Sequence, residues 1–256
     1  MKKIVFALFV SMVFGAGNVF AQKILDIDSM RVFLPAQCNG TAILALPGGG
    51  YSHLAVAHEG YDWADFFNQQ GIAYIVLRYR MPEGDKLRPI SDVQKALAYI
   101  RSRAVEWGIN PKKVGIMGSS AGGHLASTIA THSDAKTAPA FQILFYPVIS
   151  MDERKSHAGS CRNFLGSAPK QSVIDLYSND KQVTSATPPA LILLCYDDTV
   201  VPPDNGIRYS MNMVTKGANA ILLSYPDGGH GWGFNKDFKH HDEMLLQIKA
   251  WLRTLK

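Results

Sequence analysis

The chain has 256 residues, 47% of them hydrophobic and 18% charged, with a formal net charge of +5. That length buries a sizeable core in one domain, and the balance excludes disordered, collagen-like and repeat-array classes. Lys2 and Lys3 carry two of the positive charges and residues 1–21 hold no acid, so +3 stays on the rest, with no basic run to suggest a nucleic-acid partner.

In chain order, Lys2-Lys3, the apolar stretch from Ile4 to Phe14 and Val19-Phe20-Ala21 read as a signal peptide over residues 1–21. The apolar run is about half of the roughly 20 residues that span a bilayer, so no stable membrane insertion is expected after cleavage. The expected domain is residues 22–256, in a periplasmic or secreted location. Beyond it, strands and helices alternate. Met30–Leu34 and Thr41–Leu46 read as an early antiparallel strand pair, Tyr61–Gln69 as a helix ended by Gly71, and Ile72–Tyr79 as a buried strand. A helix follows over Ile90–Trp107, with Ser91 as N-cap and Gly108 as stop. Val114–Met117 is a short strand and Gly122–Thr131 a helix. Phe141–Tyr146 and Ala190–Cys195 are buried strands, Pro203–Lys216 a helix, Ala220–Tyr225 the last strand, and Asp237–Leu255 the terminal helix. The alternation predicts an α/β fold with a mainly parallel sheet covered by helices on both faces. Residues 150–189 read as a long irregular stretch that either caps a site or loops over the surface. Cys195 closes an apolar run and is expected to be buried. A Cys38–Cys161 bridge is open to an exported chain but is not the expectation. No Cys/His spacing fits a metal site.

The chemistry concentrates in three places. In Val114-Gly115-Ile116-Met117-Gly118-Ser119-Ser120-Ala121-Gly122, a buried strand runs into a tight turn and then a helix, and small neighbours let the backbone pass close to Ser120. A phosphate loop is excluded, because no Gly-Lys-Ser/Thr closes the motif. Ser119 is the competing hydroxyl, off the motif's centre. A nucleophilic serine needs a base, and the base needs an orienting acid. Of eight histidines, His230 lies in the glycine-rich run Asp227-Gly228-Gly229-His230-Gly231-Trp232-Gly233 directly after the last strand. His240 and His241 sit on a polar helical stretch, and His132 and His157 in polar loops. His124 lies on the helix after Ser120, and His53 and His58 follow a glycine run. Asp197 and Asp198 follow another buried strand, with Asp198 preferred and Asp227 expected to support the histidine's loop. Pro47-Gly48-Gly49-Gly50-Tyr51 follows an early strand. Its unobstructed N–H groups make Gly49 and Gly50 expected oxyanion donors beside Ala121, with Tyr51 shaping the rim. Tyr51 and Trp232 are further expected to contact a sugar ring.

The segments LALPGGGYSHLAVAHEG, VLRYRMP, AVEWGINPKKVGIMGSSAGGHLA, YDDTVVPPDN and DGGHGWGF resemble the exported bacterial α/β-hydrolases grouped with acetyl xylan esterases and feruloyl-esterase-like enzymes. That group is related to the hormone-sensitive lipase and prolyl oligopeptidase families. The resemblance covers nearly all of the chain past residue 21, departing where Pro47 replaces the His of many lipase-type members. It implies the α/β-hydrolase fold and a cofactor-free, metal-free carboxylic ester hydrolase with Ser120, Asp198 and His230 as its triad. The expected substrate is a small ester or an acetylated polysaccharide. A feruloyl esterase or a prolyl-oligopeptidase-like peptidase is the alternative, although a peptidase of that kind commonly carries a large extra domain. A non-catalytic polysaccharide-binding protein is the remote one. Glycoside cleavage would need a facing carboxylate pair. Oligomeric state is not legible in the sequence.

Overall fold

The computed structural model describes residues 22–255, so the expected signal peptide lies outside the described residues. Eight strands form one sheet: β1 (Lys23–Ile27), β2 (Met30–Leu34), β3 (Ala42–Leu46), β4 (Ala73–Leu77), β5 (Val114–Ser119), β6 (Gln142–Phe145), β7 (Ala190–Cys195) and β8 (Ala220–Tyr225). Their spatial order is β1-β2-β4-β3-β5-β6-β7-β8. From β4 to β8 every neighbouring pair is parallel, while β1 with β2 and β2 with β4 are antiparallel. Every residue of β3 to β7 is buried, as apolar runs are when helices cover both faces of a sheet. The strand period of two divides them between two cores. Leu44, Leu46 and Ile116 pack on one face, and Ile43, Ala45 and Met117 on the other.

The expected pairing of Met30–Leu34 with Thr41–Leu46 does not occur. β2 instead lies between β1 and β4, in register Met30↔Leu77, and β3 sits on the far side of β4. β3 is apolar throughout and needs a covered strand on each side, a demand that an edge position cannot meet. β1 escapes the sequence reading because its pattern is mostly exposed, as suits an edge strand with one packed face.

The helices are α1 (Ala64–Asn68), α2 (Leu87–Ser102), α3 (Ala104–Trp107), α4 (Ser120–His132), α5 (Ala158–Leu165), α6 (Gln171–Tyr177), α7 (Asp204–Thr215) and α8 (His241–Leu252). α2 begins before the expected Ile90. Pro89 occupies its first turn, where a missing N–H costs nothing, and Asp85 Oδ1, not Ser91, accepts from the opening Leu87 N–H at 3.0 Å. The helix breaks at Arg103, and Gly108 (φ 66°) stops α3. Residues 150–189 are not irregular, because they contain α5 and α6. The end of α6 is tied to α4 by His124 Nε2, which donates to the Tyr177 carbonyl at 2.9 Å, and the turn after it by Asn179 Nδ2, which donates to Ser127 Oγ at 2.7 Å. Burial holds the His124 ring pKa down at about 4, so it packs neutral. All three cysteines are free thiols, with Cys195 buried in β7.

Candidate active site

Four loops leave the carboxyl ends of β3, β5, β7 and β8 and meet at one edge of the sheet, where open α/β sheets bind ligands. The turn from β5 into α4 places Ser120 at φ 51°, a left-handed conformation that a non-glycine residue holds only under constraint. The flanking glycines supply that constraint by close approach. A Cβ on Gly118 would stand 2.2 Å from the Gly122 carbonyl oxygen, and one on Gly122 would stand 2.0 Å from the Leu46 oxygen. Only hydrogen fits at either position, which locks the elbow against β3 and turns Ser120 Oγ out of the sheet. Ser119 is 1% exposed and points into the interior, where its Oγ has no partner among the described residues.

His230 bridges the other two groups. Its Nε2 lies 2.9 Å from Ser120 Oγ and its Nδ1 2.7 Å from Asp198 Oδ2. Asp198 is 6% exposed, and its other oxygen accepts from the N–H groups of Val200 and Val201, both at 2.9 Å. The carboxylate is therefore anchored, and it selects the imidazole tautomer with Nδ1–H donating to it and a lone pair on Nε2 toward the serine. Asp197 plays a different part. Its oxygens accept from Gly228 and Gly229 N–H at 3.1 and 2.8 Å, which fixes the loop that carries His230. Asp227 instead pairs with Lys239 at 2.6 Å and His240 at 3.0 Å.

Ala121 N–H opens α4 and has no acceptor one turn back, as at any helix start. On the facing loop, the N–H groups of Gly49 and Gly50 have no protein acceptor among the described residues, whereas Gly48 N–H is taken at 2.6 Å by Glu59 Oε2. Glu59 is 4% exposed and has no cation within salt-bridge distance among the described residues. Its second oxygen accepts from Tyr146 Oη at 2.8 Å, and Tyr146 Oη in turn accepts from Gly233 N–H at 2.9 Å. The Tyr146 ring packs edge-on against His230, with centroids 4.6 Å apart. Glu59 and Tyr146 thus join the glycine loop to the histidine loop. The sequence reading missed both, and no local pattern marks them.

Two expected contacts lie elsewhere. Tyr51 does not form a rim: it is 2% exposed, donates from Oη to His124 Nδ1 at 2.8 Å, and packs on Phe164. Trp232 is 4% exposed and lies flat on Phe238, 4.3 Å away and 3° from parallel, so no face is free for a sugar. Neither is available for the substrate contact expected of it. His53 is exposed beside Ser52, and His58 accepts from Phe234 N–H through its backbone. A groove of about 1080 Å³ is lined by Thr41, Lys113, Phe141 and Pro189. These residues mark the amino ends of the strands, opposite the serine. Among the described residues no group of three His, Cys, Asp or Glu side chains is placed to hold a metal ion, and no helix is long and apolar enough to cross a membrane.

A mainly parallel eight-stranded sheet, with Ser, Asp and His brought to its carboxyl edge in that chain order, defines an α/β-hydrolase. The chain belongs to the BD-FAE family, whose profile matches residues 30–213. It is 49% identical over 232 residues to an acetylxylan esterase of Xylanibacter ruminicola, a match covering 88% of this chain and 48% of that protein. It is 33% identical over 204 residues to endo-1,4-beta-xylanase B of Butyrivibrio fibrisolvens, covering 74% of this chain and 32% of the other. The chain thus spans half or less of the length of these relatives. Among solved structures, an acetyl ester-xyloside bifunctional hydrolase from Caldicellulosiruptor lactoaceticus superposes with a TM-score of 0.79 at 30% identity, over 94% of this chain and 91% of that one.

Proposed function

We propose that this chain is an exported serine esterase that removes acetyl groups from xylan-type polysaccharides. The observation that carries the reading is the single imidazole joining Ser120 Oγ to an anchored carboxylate. As Oγ attacks the ester carbonyl, its proton passes to His230 Nε2, and Asp198 stabilises the imidazolium. The N–H groups of Ala121, Gly49 and Gly50 face the oxygen that gains charge. His230 then protonates the departing alcohol oxygen, leaving an acyl group on Ser120. Water gives a proton to the same nitrogen and attacks the acyl carbon, and acetate leaves as Oγ recovers its proton. Acetyl as the acyl group and xylan as the alcohol draw on the acetylxylan esterase relative and the acetyl ester-xyloside hydrolase. Export, to the periplasm or the medium, draws on residues 1–21.

Acyl transfer is favoured over glycoside cleavage because the two buried carboxylates beside the serine are fully engaged. Asp198 is held by His230, Val200 and Val201, and Glu59 by Gly48 and Tyr146. Neither is free to act as the acid or the nucleophile of a glycosidase. Incubating the purified protein with acetylated xylan, feruloylated arabinoxylan and p-nitrophenyl esters of rising chain length tests the reading. Acetate release and a preference for the two-carbon ester are expected. Ferulate release exceeding acetate release, or new reducing ends without acetate, would contradict it.

Glu59 tests the loop geometry. A glutamine there cannot accept from both Gly48 N–H and Tyr146 Oη–H, since one of its two terminal atoms is itself a donor. Glu59→Gln is expected to lower kcat on p-nitrophenyl acetate by about tenfold or more with a smaller change in KM, as the Gly49 and Gly50 donors lose registry. Unchanged kcat would show that this pair does not set the oxyanion loop.

A further inference from the structure

We propose that His157 is a substrate-binding residue whose Nε2–H donates to a hydroxyl or ring oxygen of the sugar that leaves as the alcohol. The proposal deepens the esterase reading and rests on it. His157 is the N-cap of α5, where its Nδ1 accepts from the Ser160 N–H at 3.2 Å and faces the Ser160 hydroxyl at 2.8 Å. A neutral imidazole that accepts at Nδ1 carries its proton on Nε2. Burial, and then repulsion from His230, holds the ring's pKa below the ordinary histidine value and keeps it in that neutral tautomer. The Nε2–H has no protein acceptor among the described residues, and the ring is only half-buried. A fixed donor is thus left facing outward.

Its position makes the donor useful. The ring's Cε1 stands 3.5 Å from where a Cβ on Gly50 would lie. α5 is pinned there by Asn163 Nδ2, which donates to the Gly50 carbonyl at 2.8 Å. The ring also senses the charges of His230 and Asp198. It therefore stands beside the Gly50 turn of the oxyanion loop and within electrostatic reach of His230, the base that must protonate the departing oxygen. An acetyl group offers nothing further to such a donor, whereas a sugar offers hydroxyl and ring oxygens within reach. With Tyr51 and Trp232 sealed in the core, His157 is a polar side chain still open at that wall.

Two substitutions separate the donor from the cap. His157→Asn keeps an acceptor where Nδ1 stood, so α5 stays capped, but it cannot place an N–H at the Nε2 position. His157→Gln places an amide nitrogen near Nε2 and gives up the short cap. The quantity to measure is the ratio of kcat/KM on an acetylated xylo-oligosaccharide to kcat/KM on p-nitrophenyl acetate, whose leaving group carries no sugar hydroxyl. The ratio is expected to fall about tenfold in His157→Asn, mainly through KM for the oligosaccharide, and to recover in part in His157→Gln. A ratio unmoved in His157→Asn, both constants falling in proportion, or no recovery in His157→Gln overturns the assignment while leaving the esterase reading intact. A wild-type protein inert on both substrates overturns both.

Discussion

Replacing Ser120 with alanine is expected to lower kcat on p-nitrophenyl acetate by about 10⁵-fold, leaving only what the oxyanion donors and binding supply. The fold should survive the change. The hydroxyl makes one hydrogen bond, to His230, and the glycine contacts that force the elbow involve backbone atoms that alanine leaves in place. The loss of that bond is worth about 1 kcal/mol, so the thermal midpoint should move by only a few degrees. Steady-state rates and a thermal melt on the same preparation check both halves of the expectation.

Asp198→Asn is expected to cost about 10⁴-fold in kcat, for a reason set by its backbone partners. Val200 and Val201 N–H both donate to Oδ1, so the asparagine must keep its oxygen there and turn its NH₂ toward His230. His230 Nδ1 then has to accept, which puts the ring proton on Nε2, facing Ser120. The imidazole cannot take the serine proton in that tautomer. Asp197→Asn, which loosens Gly228 and Gly229 but leaves the tautomer unchanged, is expected to cost only about tenfold. Equal losses at the two positions would contradict the roles given to them.

The three proposed catalytic residues are legible in the sequence because each directly follows a strand that local pattern identifies, and strand ends share one edge of a parallel sheet. The same logic places the glycine loop. Glu59 and Tyr146 are not legible, because their meaning is a contact between residues 87 apart that exists only once β3 and β6 are in one sheet. His157 reads as a loop histidine, since its cap and its neighbour Gly50 belong to separate stretches of chain. Tyr51 and Trp232 mislead for a conformational reason. An aromatic beside glycines reads as a site residue, but Tyr51 has φ 58°, which turns its side chain back into the core, and Trp232 finds Phe238 to lie against. The early strand order fails because strands adjacent in the chain need not be adjacent in the sheet, and the burial of β3 demands a central place.

Fluorophosphonate labelling followed by intact-protein and peptide mass spectrometry decides whether Ser120 is the nucleophile activated by His230. One adduct per chain is expected, located on Ser120, absent in Ser120→Ala and strongly slowed in Asp198→Asn. An adduct on another residue, or a Ser120→Ala protein that still labels at the wild-type rate, would contradict it.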